Sequence, residues 1–495
     1  MIDPRPVCLT LALIALLALP VQADEAMTPP DPTRFNLQDV FDLEWASDPQ
    51  IAPDGESVVY VRNFMDIMSD RRRSNLWLAA ADGSDHRPLT SGLANHSSPR
   101  WSPDGKRLLY TASGEGGSQL YLRWMDTGQT ARLTQLTSSP SGLAWSPDGR
   151  QIAFSMLVRN RPEKLVKLSG KPEGAEWADD AIAIDKLIYR ADGAGYVPDG
   201  YRHLFVLSAD GGTPRQITSG DFNHGGTPSW TPDGAALVFS ANRHDDWRYD
   251  PRNSEVYEVK VADGSIRALT DRKGPDASPV VSPDGQKIAY LGFDDRYQGF
   301  QVQALYVKDR AGGAARQLTG DLDRSVQSPV WSGDGAGIFF TYSDRGNSKV
   351  AYVTLDGQHE VLASDLGGTS LGRPYSSGSF SVNADGRFAY THTQVDHPAD
   401  VAVGQRGQDG VRRLTHLNDD LFGHKELGAV EEIWYESSHD QRDIQAWIIK
   451  PPGFDATKKY PLILEIHGGP FANYGDRFAA ELQLFAAAGY VTLYV

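Results

Sequence analysis

The sequence predicts an all-β propeller followed by the first part of a mixed α/β domain. Two patterns carry this prediction: a short turn phrase that recurs along most of the chain, and a strand–helix–strand pattern near its C-terminal end. The composition agrees with a large folded core, since 40% of the 495 residues are hydrophobic and 11 Trp, 20 Tyr and 18 Phe are present. A disordered chain would lack this aromatic content.

Charge and cysteine content exclude several classes of protein. The chain has 64 Asp and Glu against 48 Lys and Arg, a formal net charge of -16. Nucleic-acid binding needs clustered basic residues, and no basic block is present in this acidic sequence, so we expect no nucleic-acid partner. A single Cys excludes a disulfide scaffold and any metal site built from cysteines.

The N-terminus predicts an exported protein. The apolar run Val7 to Val21 follows Arg5 and is shorter than the roughly 18 residues expected of a membrane span. Small residues then precede Asp24, which is typical of a signal peptide covering residues 1–23 and cut after Ala23. The alternatives are a buried helix or a membrane anchor. We expect a mature protein outside the membrane, periplasmic or secreted, and without cysteine because Cys8 would be removed.

The turn phrase is an apolar residue, Ser or Thr, Pro, Asp and Gly, followed by an apolar strand. It recurs at intervals of 44 to 51 residues, with one interval of 85. Five clear and two degenerate copies lie at 51–55, 101–105, 145–149, 230–234, 281–285, 331–335 and 382–386. Pro presets the turn, Asp caps it and Gly accepts a positive φ.

A second phrase, Arg followed by Leu-Thr or Ile-Thr, precedes most of these turns, for example at Arg215 to Thr218. Strands bounded by turns at this period indicate one four-stranded blade per repeat, and the period is too long for the rungs of a solenoid. We therefore predict a seven-bladed propeller over residues 24–425, with an N-terminal lead-in and an insertion near 157–201. The turns themselves need no catalytic role.

After residue 415 the blade phrases stop and the pattern changes. Ile433 to Glu436 and Ile444 to Lys450 predict two strands, and Leu462 to Ile466 predicts a short buried strand. Asp476 to Ala488 has helical spacing and Tyr490 to Val495 begins another strand. Strand, helix and strand in this order form a βαβ unit of a mostly parallel sheet, assigned to residues 426–495.

The segment His467-Gly468-Gly469-Pro470 is the candidate site. A Gly-Gly turn directly after a buried strand exposes backbone N–H groups, which can stabilise the oxyanion of acyl transfer. α/β-Hydrolases take one oxyanion donor from such a loop and the other from the residue after the nucleophilic serine. His467 is interpreted as a residue that orients the turn, because a catalytic base must lie beside a nucleophile.

With these features together, the chain resembles the prolyl oligopeptidase (S9) family of serine peptidases, in particular its acylaminoacyl-peptidase and dipeptidyl-peptidase-like branch. The resemblance rests on the signal peptide, the Pro-Asp-Gly propeller and the segment from Tyr460 to Phe471, and it covers nearly all of the mature chain. It implies an α/β-hydrolase domain after the propeller, with the N–H of Gly469 in the oxyanion hole. The family's Ser, Asp and His come later in that domain, so we expect the 495-residue chain to be truncated before its triad and inactive by itself.

Other candidate residues are interpreted as structural. Gly368-Thr369-Ser370-Leu371-Gly372 matches the nucleophile pattern Gly-x-Ser-x-Gly, but no buried strand precedes it and no amphipathic helix follows. Glu431 and Glu432 resemble the amine-binding glutamates of dipeptidyl peptidases, yet they begin a strand after the propeller and are expected to face solvent. The 12 His show no metal-binding spacing, so neither a metal nor a cofactor is expected.

The resemblance implies hydrolysis of short peptides through an acyl-enzyme, with the propeller admitting only small or unfolded substrates. One alternative is a non-enzymatic periplasmic propeller similar to TolB, against which the hydrolase-like segment argues. A second is an esterase or lipase, which rarely carries a propeller. The sequence leaves open whether the enzyme acts as an exopeptidase or an endopeptidase. It also leaves open the preferred side chain at the cleaved bond and the oligomeric state.

Overall fold

The fold is built almost entirely from β-strands. The computed structural model describes residues 31–114, 116–160, 170–178 and 181–495, so the predicted signal peptide lies outside the described residues. Successive antiparallel sheets occupy residues 45–413, and a smaller sheet with a helix follows. Within the described part of the chain, no helix is long and apolar enough to cross a membrane.

Each of the first sheets has four strands. The first contains β1 (Trp45–Ile51), β2 (Ser57–Asp66), β3 (Arg71–Ala80) and β4 (His86–Pro88). The second contains β5 (His96–Trp101), β6 (Arg107–Ala112), β7 (Gln119–Trp124) and β8 (Thr130–Arg132). The third contains β9 (Ser141–Trp145), β10 (Gln151–Arg159), β13 (Gly200–Ser208) and β14 (Arg215–Gln216), with the separate hairpin β11 (Arg190–Ala191) and β12 (Gly195–Tyr196) lying between them in sequence.

The later sheets repeat this plan. The fourth contains β15 (His224–Trp230), β16 (Ala236–Ala241), β17 (Glu255–Lys260) and β18 (Ile266–Ala268). The fifth contains β19 (Asp276–Val281), β20 (Lys287–Gly292), β21 (Ala304–Asp309) and β22 (Arg316–Gln317). An eight-stranded sheet then contains β23 (Val326–Trp331), β24 (Gly337–Asp344), β25 (Asn347–Thr354), β26 (His359–Leu366), β27 (Phe380–Val382), β28 (Arg387–Gln394), β29 (His397–Gln405) and β30 (Val411–Arg413).

The predicted turns connect the first and second strands of each sheet. In five of them the Ser or Thr hydroxyl donates to the Asp carboxylate at 2.5–2.6 Å, as in Ser102 to Asp104 and Thr231 to Asp233. The same carboxylate accepts the N–H two residues later, for example that of Lys106 at 3.1 Å. The hydroxyl bond and this N–H lower the pKa of Asp104. The recurring phrase is therefore a local structural device, as the sequence predicts.

The Leu-Thr phrase fastens the outer strand of a sheet to its neighbour. In six copies the Thr hydroxyl accepts a backbone N–H from the strand that precedes the phrase, at 2.8–3.0 Å. Thr218, for example, accepts the N–H of Leu204 at 2.9 Å. This bond satisfies a backbone donor where the fourth strand has already ended.

Tryptophan indoles join neighbouring sheets into a ring. Four Trp side chains at the end of the innermost strand donate to a carbonyl of an earlier innermost strand at 3.0–3.1 Å: Trp101 to Gln50, Trp145 to Arg100, Trp230 to Ala144 and Trp331 to Val280. The first and last sheets also lie side by side, because Ile51 N–H donates to Ser381 Oγ at 2.8 Å and Arg387 Nη1 to the Gly55 carbonyl at 2.8 Å. The ring thus closes without a shared strand.

The insertion is shorter than the sequence predicts. Strands β10 and β13 pair from Gln151 with Ser208 through to Arg159 with Gly200, so residues 157–159 and 200–201 belong to the hairpin. The extra segment is confined to residues 160–199. The antiparallel pairing of β10 with β13 extends to Arg159 and Gly200, beyond residue 157, where the sequence pattern suggested that the strand ends.

The second domain has the strand order β31-β32-β34-β33. Its elements are α1 (Asp419–Phe422), β31 (Ala429–Glu436), β32 (Asp443–Lys450), β33 (Leu462–Glu465), α2 (Ala480–Ala487) and β34 (Val491–Tyr494). β33 and β34 pair in parallel across α2, which is the predicted βαβ unit. The helix begins at Ala480 instead of the predicted Asp476, because residues 475–477 form a turn against the propeller.

The N-terminal lead-in packs on this second domain. A short 3₁₀-helix spans Asp39–Asp42, and Phe35 before it is buried against Phe422 and Phe478, with ring centroids 6.3 Å apart in both pairs. Arg34 Nη1 donates to the carbonyl of Ala487 at the end of α2 at 3.2 Å. The lead-in therefore covers the helix of the second domain before the chain enters the propeller.

Candidate active site

The candidate site is the loop that follows β33, His467-Gly468-Gly469-Pro470. Gly469 has a φ of 149°, and a Cβ placed on it would lie 2.8 Å from the backbone nitrogen of Phe471. Real Cβ atoms do not approach backbone nitrogen this closely, so the curl of the loop requires glycine at this position. A glycine here also leaves room for a substrate carbonyl to approach the loop. The conformation of the loop backbone is thus a second reason for glycine at this position.

Of the two glycine N–H groups in the loop, only that of Gly468 is engaged in a hydrogen bond among the described residues. The N–H of Gly468 donates to the hydroxyl of Tyr375 at 3.1 Å, and Nδ1 of His467 donates to the carbonyl of Gly468 at 2.8 Å. Within the described residues, the N–H of Gly469 makes no hydrogen bond. Among the two glycines of the turn, Gly469 is therefore the donor that is free to meet a ligand oxygen.

One propeller segment reaches the loop, and we call residues 367–379 the strap. It connects β26 to β27 and forms isolated backbone bridges from Ser370 to Ala479 and from Tyr375 to Tyr474. Arg373 of the strap forms an ion pair with Glu465, the last residue of β33. The strap thus contacts the end of β33, the loop itself and residues after the loop.

Tyr474 links these contacts. Its ring lies edge-to-face against Tyr375 and His467, at centroid distances of 4.9 and 5.5 Å. Its hydroxyl donates to Glu465 Oε1 at 3.1 Å, and burial raises the pKa of Tyr474 above its usual value. The phenol therefore stays a neutral donor, and the aromatic stack fixes both sides of the loop.

A second contact between the two parts of the chain lies beyond Tyr474, and we call residues 475–477 the pin. A Cβ on Gly475 would lie 1.8 Å from the carbonyl oxygen of Gly346, in the turn between β24 and β25. Arg477 is 3% exposed and donates to that carbonyl at 3.1 Å and to Ser348 Oγ at 2.7 Å. Burial lowers the pKa of Arg477 to about 10. The pin is a closely packed, buried contact.

Asp476 completes the pin. Its carboxylate accepts the indole N–H of Trp447 at 2.5 Å and the side-chain amide of Asn347 at 3.1 Å. Trp447 belongs to β32 and is buried against Tyr494 of β34. The pin therefore connects the sheet of the second domain with the propeller turn.

Two aromatic side chains stand beside the loop. Phe471 follows Pro470, and its ring lies 5.4 Å from that of Phe300 on the propeller loop between β20 and β21. Both rings remain more than half exposed, at 62% and 54%. They form an exposed apolar surface contributed by both parts of the chain.

The residues that the sequence interpreted as structural have structural surroundings. Ser370 lies in the strap, and within the described residues its hydroxyl has no histidine partner. Glu431 and Glu432 are exposed on β31; the first pairs with Lys450 at 2.6 Å, and the second accepts from Trp434 at 2.6 Å. His467 bonds to its own turn, as an orienting residue would. The described residues contain no group of three His, Cys, Asp or Glu placed to hold a metal ion.

Sequence reasoning missed Arg373 and Tyr375. They lie about ninety residues before the loop, in a strap whose sequence has no periodicity and resembles an ordinary polar connection. The pattern of Arg, Pro and Tyr at 373–375 carries no general meaning without the fold. Only the closure of the propeller on the second domain brings these residues to the Gly-Gly turn.

Comparison with known proteins agrees with this architecture. The model of the TolB beta propeller domain matches residues 41–171 and 195–370. The chain is 29% identical over 479 residues to the uncharacterized peptidase YuxL of Bacillus subtilis, covering 93% of this chain and 70% of that protein. It is 25% identical over 517 aligned positions to dipeptidyl-peptidase 5 of Porphyromonas gingivalis, covering 97% and 71%.

The fold is also similar to that of a solved enzyme, the acylaminoacyl peptidase of Pyrococcus horikoshii. The TM-score is 0.74 at 20% identity, over 93% of this chain and 66% of that one. A TolB-type propeller joined to a second sheet that carries a Gly-Gly loop is an architecture that the chain shares with named peptidases. The chain belongs to the prolyl oligopeptidase (S9) family of serine peptidases, with a TolB-type propeller.

Proposed function

We propose that the protein cleaves short peptides through an acyl-enzyme and that the N–H of Gly469 binds the oxyanion. The observation that carries the proposal is the free N–H of Gly469, next to a Gly468 N–H that Tyr375 already engages. A donor held in place before the reaction stabilises the charge that develops on the carbonyl oxygen without reorganisation in the transition state. The nucleophile, base and orienting carboxylate follow the family scheme of Ser, His and Asp.

The surroundings of the loop support a peptide substrate of limited size. The loop faces the propeller through the strap, and the exposed pair Phe300 and Phe471 offers apolar surface beside Gly469. A substrate must fit between a ring of sheets and the second domain, so an extended or small peptide fits and a folded protein does not. The names of the relatives, a dipeptidyl-peptidase and an acylaminoacyl peptidase, agree with this substrate class.

The test is the substitution Gly469→Ala in the protein expressed from the complete gene, assayed on dipeptidyl and acyl-aminoacyl chromogenic amides. The substitution keeps the backbone N–H, but the new Cβ would lie 2.8 Å from the nitrogen of Phe471, so the loop must shift and the N–H of position 469 turns away. We expect kcat to fall about 100-fold, an effect of the order of losing one oxyanion donor. Circular dichroism and the melting temperature should show that the propeller is intact. Unchanged turnover would show that Gly469 does not bind the oxyanion. Absence of hydrolysis by the unsubstituted protein would favour a binding propeller instead.

The blade count and the domain limits belong to this proposal as well. We count the eight-stranded sheet as two blades, β23–β26 and β27–β30, because they join through the single pair Leu366 and His392. This count makes seven blades over residues 24–425, followed by the hydrolase part from 426.

Export is proposed from the N-terminal pattern alone. Cleavage after Ala23 would release a mature chain that begins at Asp24. N-terminal sequencing of the protein from the periplasm or the medium is expected to read Asp-Glu-Ala-Met. A mature protein that retains residues 1–23 would contradict cleavage and support the membrane-anchor alternative.

A further inference from the structure

We propose that Tyr375, a residue of the propeller, is a positioning residue for the oxyanion loop and makes the oxyanion site depend on docking of the propeller. The proposal rests on the proposed peptidase function of the same loop. It assigns a role in the reaction to a side chain that lies outside the hydrolase part of the chain.

The loop needs an external partner to hold one conformation. Gly468 and Gly469 have no side chains to pack, and glycine has the largest backbone freedom of all residues. A Cβ on Gly468 would meet only the Tyr375 hydroxyl, at 3.7 Å, so the other neighbours leave the loop open on this side. The hydrogen bond from Gly468 N–H to Tyr375 therefore holds the His467–Gly468 peptide plane.

The N–H of Gly469 lies in the next peptide plane, whose carbonyl, that of Gly468, accepts from His467 Nδ1 at 2.8 Å. The Tyr375 bond on one side of Gly468 and this local bond on the other together set the direction of the Gly469 N–H. Gly469 follows directly, and the pre-organised direction of its N–H determines how well it meets a developing oxyanion. A misdirected donor would still allow the substrate to bind, because the oxyanion forms only during the reaction. Loss of the Tyr375 bond should thus lower kcat and leave KM nearly unchanged.

Contacts of the strap with residues before and after the loop hold Tyr375 in place. Arg373 pairs with Glu465 before the loop, and the Tyr375 ring packs on Tyr474 after it, at a centroid distance of 4.9 Å. The backbone of Tyr375 also forms a bridge with Tyr474. These contacts exist only when the strap, which begins and ends in propeller strands, lies against the second domain. Docking and the order of the loop are thereby linked.

The test compares Tyr375→Phe with a matched control, Tyr460→Phe, in the protein expressed from the complete gene. Tyr460 also accepts a backbone N–H with its hydroxyl, that of Asp455 at 2.8 Å, and packs on Phe454, but it does not contact the loop. For Tyr375→Phe we expect kcat to fall about tenfold with KM within about twofold. A peptide aldehyde, which forms a tetrahedral adduct, should bind about tenfold more weakly. Tyr460→Phe should behave as the unsubstituted protein.

Amide hydrogen exchange provides a readout that does not depend on activity. Tyr375→Phe should raise the exchange rate of the Gly468 amide about tenfold, while Tyr460→Phe leaves it unchanged. Unaltered exchange at Gly468 would overturn the proposal, as would a change confined to KM. If the unsubstituted protein hydrolyses no peptide, the proposed function fails by itself, and the exchange at Gly468 still decides whether Tyr375 orders the loop.

Discussion

Two of the contacts between the propeller and the second domain differ in character. At the pin, Gly475 lies against the carbonyl of Gly346, and the buried Arg477 donates to the propeller backbone. At the strap, Arg373 pairs with Glu465 and Tyr375 accepts from Gly468 of the Gly-Gly loop; the side chain of Arg373 is 45% exposed. The pin is buried and has no room for an added atom, whereas the strap is partly exposed to solvent.

We interpret the two contacts as having different roles: the pin holds the two domains together, and the strap shapes the candidate site. A buried, closely packed contact loses its packing if either surface moves, so the pin should determine the stability of the docked state. Exposed ion pairs and single hydrogen bonds contribute little to stability, yet they can set the direction of a catalytic donor. We therefore expect substitutions at the pin to change the free energy of unfolding, and substitutions at the strap to change turnover.

The largest expected effect is that of Gly475→Ala. The new Cβ would lie 1.8 Å from the Gly346 carbonyl, a position that no small shift of a side chain relieves because both partners are backbone. We expect the free energy of unfolding to fall by about 3 kcal/mol, the upper range for an overpacked site. Urea denaturation followed by tryptophan fluorescence measures it, since Trp447 lies beside the pin.

The matched control for the pin is Gly372→Ala in the strap. A Cβ on Gly372 would meet Glu481 Oε2 at 3.4 Å, an ordinary contact, and this glycine does not have a positive φ. Its free energy of unfolding should change by less than about 0.5 kcal/mol. Equal losses for both variants would erase the distinction between the pin and the strap.

The repeat chemistry of the propeller is visible in the sequence because it is local. Ser102 bonds to Asp104 and to the N–H of Arg107 within one turn, so seven copies of a short phrase indicate seven turns and the strands beside them. The recurring Trp and Thr residues are equally visible, but their partners are not: Trp230 bonds to Ala144, in a different sheet. The sequence therefore predicts the repeated unit and not the bonds that close the ring.

The candidate site likewise contains residues that the sequence predicts and residues that it does not. A strand followed by Gly468 and Gly469 predicts the oxyanion loop, because the chemistry needs only neighbours in sequence. Arg373 and Tyr375 escape prediction because their partners, Glu465 and Gly468, come into reach only through the docking of two domains. The start of α2 was wrong by four residues for a related reason: Asp476 and Arg477 have helical spacing, but their side chains are engaged by the propeller turn.

The smallest expected effect on stability is that of Arg373→Gln, which removes the ion pair with Glu465 at the strap. Solvent reaches the arginine, and exposed pairs of this kind contribute below about 0.5 kcal/mol to the free energy of unfolding. A double-mutant cycle with Glu465→Gln should give a coupling energy of the same size that declines at high salt, where exposed charges are screened. A coupling energy close to the loss of about 3 kcal/mol expected for Gly475→Ala would show that the strap also holds the domains together. The proposed difference between the pin and the strap would then be wrong.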